Sequence, residues 1–474
     1  MRRRRGAPLS DATTLAALVA AGEIGPRELV EAACGAVERL DDELGAVPVR
    51  FFQAALDRAD RVDRRAPFAG VPFLMKDVGA RQAGQPYYAG NRALRDADHR
   101  ADADTALGAR FRKIGLVTIG NSSAPEFGLQ SNTWPLVYGP TRNPWDPRRS
   151  AGGSSGGACA AVAAGIVPVA HASDGAGSIR IPAAWCGLVG LKPSRDRVVW
   201  RHAGSERSDV EFVVARSLRD TAAFLDWLRA TRYGRRPAEF SAALRRQPDC
   251  LRVGFWTRSP AETPVHPEVR AAVEGTAARL ARSGHAVEEA APASFSEYGE
   301  RALHGAVLGA TEYRGCLADL EERLGRRVGR GDVEPFLWEL SNIEHGEASD
   351  DEIESAARWN AGWVRRTRGW FRRFDLLVTP TVCEPAPLLE ALDPRKLAPL
   401  EMLERMVPHM AFTEPWNATG LPAISLPLAW TARGLPIGVQ LVSGPGRERL
   451  LLSVAATLLS ADPDPAAPRP RIRA

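Results

Sequence analysis

Apolar positions recur along this chain at two periods, and each predicts a different kind of element. Between residues 10 and 45 the spacing predicts two short helices. The second begins at Pro26, whose fixed φ suits a first helical turn, and it places Val30, Cys34, Val37 and Leu40 on one face. A further helix is predicted from His266-Pro267-Glu268: Val269, Val273, Ala277 and Leu280 form one stripe, and Ser283-Gly284 ends it. Alternation takes over at His285-Ala-Val-Glu-Glu, and short β-rich runs stand at Leu251–Phe255, Asp375–Val378 and Ala423–Leu428. Strands alternating with helices along the whole length point to a layered α/β fold. There is no internal repeat, and no linker rich in Pro, Gly or Ser divides the chain. One domain over residues 10–460 is therefore expected, with a basic, disordered segment at 1–9 before it and a Pro/Arg-rich tail at 461–474 after it. Residues Gly325–Asp351 are charged and weakly patterned, and read as a variable excursion from the core.

At 474 residues, 45% hydrophobic and 25% charged, the chain can bury a large core, which excludes disordered, fibrous and small disulfide-framed classes. The charge total hides a bias. Of 62 lysines and arginines only four are lysine: Lys76, Lys113, Lys192 and Lys396. Arginine serves surface charge as well as lysine does, but it cannot give up its proton. A retained lysine is thus a candidate for chemistry that needs a neutral amine. The net charge is +5, yet the arginines interleave with 57 acids and concentrate only at Arg2–Arg5 and after Ala461. Without clustering or interleaved aromatics, no nucleic-acid partner is expected. Six cysteines stand far apart with no C-x-x-C pair, which fits reduced core thiols in a cytoplasmic protein and no zinc site. No apolar run is long enough to span a bilayer, and no apolar signal region follows the N-terminal arginines, so no membrane partner is expected.

Residues 151–190 differ from the rest in glycine density, which costs backbone entropy and so needs a reason. Two serine sites are embedded there, Gly-Gly-Ser154-Ser155-Gly-Gly and Asp174-Gly-Ala-Gly-Ser178-Ile-Arg. Gly152-x-Ser154-x-Gly156 has the form of a hydrolase nucleophile elbow, but Asn143-Pro-Trp-Asp-Pro before it cannot be the core strand an elbow requires. A phosphate loop would need Gly-Lys-Ser/Thr after its glycines, and none is present. A glycine-rich turn without chemistry stays open on local composition. A serine hydroxyl becomes a competent nucleophile when a base takes its proton. The histidine in this segment, His171, sits in an Ala-His-Ala setting that reads as core packing. A neutral lysine can serve instead, with the second serine relaying the proton. The amides of Gly175, Ala176 and Gly177, directly before Ser178, suit an oxyanion. Lys76, in Gly70-Val-Pro-Phe-Leu-Met-Lys76-Asp-Val-Gly, has the apolar setting that would lower an amine's proton affinity.

With these residues the chain resembles the amidase signature enzymes. The resemblance rests on Gly-Val-Pro-Phe-x-x-Lys76-Asp, Pro125-Glu-Phe-Gly, Gly-Pro-Thr-Arg-Asn143-Pro-Trp-Asp and the Ser154 block. It continues through Ser173-Asp174 to Ser178-Ile-Arg180-Ile-Pro182, Gly190-Leu-Lys192-Pro, Thr379-Pro-Thr, Thr419-Gly-Leu-Pro-Ala-Ile-Ser-Leu-Pro and Gly434-Leu-Pro-Ile-Gly-Val-Gln440-Leu. It spans roughly residues 10–460. It implies a mixed central β-sheet flanked by α-helices on both faces. It also implies a Ser–cis-Ser–Lys triad: Ser178 as nucleophile, Ser154 as a bridging serine on a cis peptide, and Lys76 as base. The amides of Gly175, Ala176, Gly177 and Ser178 would form the oxyanion hole, supported by Ser155 and by an Asp174–Arg180 pair that orients the loop. The implied activity is hydrolysis of a small-molecule amide with no metal or cofactor, by a monomer or homodimer. Pro-Val-Ala-His-Ala-Ser-Asp and Gly-Leu-Lys-Pro-Ser look most similar to the cyclic-amide and linear-oligoamide hydrolases of the 6-aminohexanoate type.

Several positions depart from the family pattern. Ala176 stands for a glycine, Ser123 for an asparagine, and Asp196 for the glycine after Lys-Pro-Ser; Trp185 is bulky, and the loop 197–210 is short. These departures imply a reshaped pocket. Lys192 reads as an anchor for backbone carbonyls, Lys113 and Lys396 as surface residues, and Cys316 as a buried small hydrophobe. The acyl side of the substrate is expected to meet the variable middle and Phe412–Asn417. An acyl or amido transferase using the same triad is the alternative activity, and a non-catalytic binding descendant is the third reading.

Overall fold

In a computed structural model, the alternating runs and amphipathic helices resolve into one eleven-stranded mixed sheet flanked by helices. The structure describes residues 10–199, 209–230, 239–342, 349–460 and 469–474. The expected basic segment at 1–9, most of the short loop (200–208), residues 343–348 of the excursion and residues 461–468 of the tail lie outside the described residues. The strands of the first half are β1 (Val49–Arg50), β2 (Pro72–Lys76), β3 (Val117–Ser122), β4 (Arg142–Asn143), β5 (Asp146–Ser150), β6 (Val169–Asp174), β7 (Val189–Lys192) and β8 (Val210–Ala215). The second half adds β9 (Arg252–Phe255), β10 (Ala286–Glu289), β11 (Leu376–Pro380), β12 (Ala423–Trp430) and β13 (Pro436–Ser443). The order across the sheet is β1-β3-β2-β6-β8-β7-β12-β13-β11-β9-β10, with β4 and β5 forming a separate ribbon.

The pairing explains where the site lies. β2 runs between β3 and β6 and is parallel to both. β6, β8, β7, β12, β13 and β11 then pair antiparallel in turn, before β11, β9 and β10 return to parallel pairing. Every residue of β2, β3 and β13 is buried. Helices cover both faces of such strands, so even their polar residues, Asn121 and Gln440 among them, are shut away from solvent. Helix Gly156–Ala163, built from Gly-Gly-Ala-Cys-Ala-Ala-Val-Ala, is buried at every position, and its small side chains let it approach the sheet closely.

The predicted strands at 251, 375 and 423 appear as β9, β11 and β12, and the predicted helices as Ala12–Ala20, Pro26–Leu44 and Pro267–Arg282. The excursion has more structure than its pattern indicated. Helix Pro335–Ser341 buries Phe336, Leu337 and Leu340. Their apolar partners are distant in sequence: Tyr87, Tyr88 and Leu94 on one side, Met402 and Met406 on the other. The end of the tail also folds back. The Arg471 and Ile472 amides donate to the Pro144 carbonyl at 2.8 and 3.0 Å, the Ala474 amide donates to the Ala164 carbonyl at 2.7 Å, and Ile472 enters the main apolar core. No helix among the described residues is long and apolar enough to cross a membrane.

Candidate active site

Three chain segments bring the predicted residues together. Lys76 is the last residue of β2 and is shut away from solvent. Ser154 follows a cis Gly153–Ser154 peptide in the turn before helix Gly156–Ala163. Ser178 lies between β6 and helix Arg180–Cys186, and is half-buried. The Lys76 Nζ donates to Ser154 Oγ at 2.7 Å and to Ser173 Oγ at 2.8 Å. Ser155 ties the two serine loops: its amide donates to the Ser178 carbonyl at 3.3 Å, and its hydroxyl both donates to the Ser173 carbonyl at 3.2 Å and accepts from the Ser173 amide at 3.3 Å. Among the described residues the Ser178 hydroxyl has no hydrogen-bond partner, and its partial exposure leaves it open to a substrate carbonyl.

Burial decides the electrostatics of Lys76. Removal from water favours the neutral amine and pulls it down to about 8, against the opposing pull of Glu211, Asp174 and Asp209. A substantial neutral fraction at neutral to mildly alkaline pH is what a base requires. His171 is also fully buried, and burial together with the nearby lysine holds its imidazole down to about 3.

The loop before Ser178 is organised by one carboxylate. Asp174 accepts from the Gly177 amide at 2.8 Å, from the Ile179 amide at 3.2 Å, from Arg180 Nε and Nη2 at 2.9 and 2.8 Å, and from Asn417 Nδ2 at 2.9 Å. Burial alone would raise this carboxyl, but the Arg180 guanidinium outweighs it and holds it near 2. Arg180 spends its remaining donors on the Thr413 carbonyl, Gln440 Oε1 and Asn417 Oδ1, at 2.8, 2.8 and 2.6 Å. A buried ion pair with every donor satisfied is rigid and expensive to break. The expected orienting role of Asp174 and Arg180 thus has a specific geometry.

That geometry corrects one part of the expected oxyanion hole. The Gly177 amide is already committed to Asp174, so it is not free for a substrate. Among the described residues, the amides of Gly175, Ala176 and Ser178 have no protein partner. Glycine at 177 answers a backbone need instead: its φ is +132°, and a Cβ there would collide with the Thr413 side chain. Ala176, by contrast, does not take a positive φ, so its Cβ is accommodated. Asp196 does take a left-handed φ of +64°, a conformation aspartate tolerates better than most side chains. Ser123 is buried and its hydroxyl finds no hydrogen-bond partner among the described residues. Trp185 is buried, donates from Nε1 to the Glu384 carbonyl at 3.0 Å and stands edge-on to His409 at 4.9 Å, so its bulk fills core space.

The remaining lysines separate as expected. Lys192 is buried and donates to the Pro193 carbonyl at 3.0 Å, while Lys113 and Lys396 are exposed. Cys316 packs in an apolar cluster with Tyr87, Leu320 and Leu337. The Phe412–Asn417 segment braces the nucleophile loop: Thr413 Oγ1 donates to the Ala176 carbonyl at 2.6 Å and Asn417 Nδ2 to the Asp174 carbonyl at 2.7 Å.

Sequence reasoning missed several groups. Ser173, which shares the Lys76 amine, stands inside a motif with no signal of its own. Glu126 accepts from Asn91 Nδ2 at 2.8 Å and from the Glu334 amide at 2.9 Å, tying the excursion to the Pro-Glu-Phe-Gly turn. That turn reaches the site, since a Cβ on Gly128 would lie 3.3 Å from Ser154 Oγ. Burial pushes both Glu126 and Glu334 above the usual carboxylate range, and the Glu334 charge adds to the effect on Glu126. His409, buried between Ser131 Oγ at 2.9 Å and Glu384 Oε1 at 3.3 Å, carried no signal in its spacing. Among the described residues no group of three or more His, Cys, Asp or Glu side chains is arranged to hold a metal ion.

Comparison with known proteins gives the family. A family model described as Amidase matches residues 28–452, and the chain belongs to that family, the amidase signature enzymes. A 6-aminohexanoate-cyclic-dimer hydrolase of Pseudomonas sp. (strain NK87) is 38% identical over 480 residues, covering 96% of this chain and 95% of that protein. A solved structure of 6-aminohexanoate cyclic dimer hydrolase complexed with substrate superposes with a TM-score of 0.89 at 35% identity, over 98% of this chain and 99% of the other. A bacterial aryl acylamidase of the same family superposes at 0.85 with 26% identity, over 96% and 97%. The protein is an amidase, a hydrolase of C–N bonds other than peptide bonds.

Proposed function

We propose that the protein hydrolyses a small amide, linear or cyclic, through an acyl-enzyme on Ser178. Ser178 Oγ attacks the amide carbon while its proton passes to Ser154 Oγ and the Ser154 proton passes to neutral Lys76 Nζ. The oxyanion is received by the free amides of the Gly175–Ser178 loop, whose donors are fixed before substrate arrives. The C–N bond then breaks, and the amine departs with a proton returned from Lys76 through Ser154. Water attacks the resulting ester by the same relay, and the carboxylic acid leaves with Ser178 restored.

The observation that carries this reading is the 2.7 Å contact between Lys76 Nζ and Ser154 Oγ inside a buried site. It connects the amine to the serine turn and so supports a lysine that takes the serine's proton once the amine is neutral. Support for the substrate class comes from the surroundings and from the relatives. Gly128 lies beside both Ser154 and Val78, and Val78, Phe127 and Leu129 pack on an apolar cluster, which suits an amide with an apolar body. Relatives similar over nearly the whole chain carry the name 6-aminohexanoate-cyclic-dimer hydrolase, and a cyclic dimer of that amino acid is an aliphatic amide.

Ser178→Ala is expected to abolish turnover of a panel of aryl, aliphatic and lactam-derived amides while leaving the unfolding transition in place. It should also remove labelling by a fluorophosphonate, which reports nucleophile activation without knowledge of the substrate. Wild-type turnover in Ser178→Ala would overturn the reading.

A further inference from the structure

His171 and Glu211 lie next to the base and take no part in the relay. The Lys76 amide donates to His171 Nδ1 at 3.2 Å. A backbone amide can only donate, so Nδ1 is the accepting nitrogen and the ring hydrogen belongs on Nε2. That Nε2 is turned to Glu211 Oε2, 3.8 Å away, and both side chains are wholly buried. The other Glu211 oxygen is packed on the turn that follows Lys76. A Cβ at Gly79 would collide with Glu211 Oε1 and lie 3.5 Å from the His171 ring, and Gly79 has a φ of +101°. The strand end from Lys76 to Gly79 is therefore held at its first residue by the imidazole and pressed at its last by the carboxylate. Glu211 comes from β8 and His171 from β6, the neighbour of β2, so the clamp is built across three strands.

We infer that Glu211 is a positioning residue for the base: with His171 it clamps the Lys76–Gly79 strand end, and its carboxylate compensates the ammonium that Lys76 becomes in each turn of the relay. The inference rests on the reading of Lys76 as base. The physical need is clear. A buried amine that accepts a proton becomes a buried cation, which is costly unless an anion stands near it. Among the described residues, the groups that face Lys76 are the Ser154 and Ser173 hydroxyls, His171 and Asp174 of β6, Glu211 of β8, Asp209 just before that strand, and Cys159 of the helix behind Ser154. Asp174 is occupied by Arg180, and Glu211 is the strongest of the acids in favouring the charged amine.

The test is the pH dependence of fluorophosphonate labelling and of amide turnover in wild type, Glu211→Gln, Glu211→Asp and Lys76→Ala. Gln keeps the shape of Glu and removes its charge. The acid limb of labelling should then move to lower pH by about one unit, the scale on which a nearby opposite charge shifts a buried group. Labelling below that limb becomes faster than in wild type, while the alkaline plateau falls because the base is weaker. A defect of folding alone cannot make labelling faster at low pH. Turnover should fall through kcat with KM little changed, since Glu211 acts on the amine and does not touch substrate. Should Glu211→Gln fail to fold, Glu211→Asp decides by the same midpoint, which is expected to move in the same direction by less. Unmoved midpoints, with labelling lost in Lys76→Ala, overturn the role of Glu211 and leave the base reading standing. Wild-type labelling in Lys76→Ala overturns the base reading, and this inference with it.

Discussion

Lys76 closes β2 and Lys192 closes β7, and both amines are buried in the same sheet. Desolvation lowers both: Lys76 to about 8, and Lys192 further, to about 7, with the Arg180 charge adding to the effect on Lys192. By proton affinity alone, Lys192 is the better candidate for a neutral base. Their partners say otherwise. Lys76 donates to two hydroxyls, each able to accept one proton and pass on another. Lys192 donates to the Pro193 carbonyl, which has no proton to give. A shifted pKa therefore marks a group as able to change charge, and the connectivity around it decides whether that change can do chemistry. Perturbed titration is common to functional sites and to structural anchors, and geometry separates the two.

The largest expected effect breaks the pair apart. Lys76→Arg preserves positive charge and removes the ability to accept a proton, so amide turnover should drop on the order of 10²- to 10⁴-fold, the usual worth of a positioned base. Lys76→Met, without any charge, should fall as far. Retention of wild-type rates in either variant would make Lys76 an anchor like Lys192. The matching change, Lys192→Met, should leave the pH midpoint of fluorophosphonate labelling where it is, and report instead on stability. The unfolded chain holds the Lys192 proton up to the ordinary lysine value of 10.5, while the folded protein releases it near 7. Between those limits the unfolded state binds more protons, so stability rises with pH on account of this residue; below about 7 the burial penalty is fully present. The stability of wild type relative to Lys192→Met should therefore increase from pH 7 to 10, measured as denaturant midpoints at fixed m-value. A flat difference would show that Lys192 keeps its proton in the fold, and the likeness of the two lysines would be lost.

The lysines also show how much could be read without coordinates. Lys76, Ser154 and Ser178 were legible because each sits in a local signature whose glycines leave room for a loop to meet its neighbours. The strands that position Lys76 and the nucleophile loop, β2 and β6, were not legible, because Pro-Phe-Leu-Met-Lys and Val-Ala-His-Ala-Ser-Asp are short and carry no clear strand pattern. The strands read from the sequence at 251, 375 and 423 lie further along the sheet as β9, β11 and β12. What escaped was settled by contacts between distant segments. The Gly177 amide looked free in the motif, and only the fold turns Asp174 towards it while also fixing Arg180 and Asn417, which is 243 residues away. Glu126 and Glu334, 208 apart, meet through a backbone amide that no spacing rule anticipates. The Ala-His-Ala setting of His171 reads as core packing, and the ring is buried, but its Nδ1 also accepts from the backbone amide of Lys76. The excursion around Phe336 and Leu337 is weakly patterned because its apolar partners lie on the far sides of two other segments.

Ser173 offers the finest test of the contrast between the lysines. It shares the Lys76 amine with Ser154, at 2.8 against 2.7 Å, and stands near the end of β6, directly before Asp174. In the proposed relay the transferred proton passes through Ser154, which leaves Ser173 to aim the amine. Ser173→Ala removes one neutral hydrogen bond, worth about 0.5–1.5 kcal/mol, and leaves Ser154 as the hydroxyl partner of the amine. Turnover should fall roughly 2- to 10-fold on that scale, with Ser173→Thr restoring most of the loss because it returns the hydroxyl. Rescue by threonine is the deciding measurement: a packing defect would not be repaired by a bulkier side chain. Loss as deep as in Lys76→Arg would place Ser173 within the relay, and no loss at all would mean that a single hydroxyl is enough to distinguish Lys76 from Lys192.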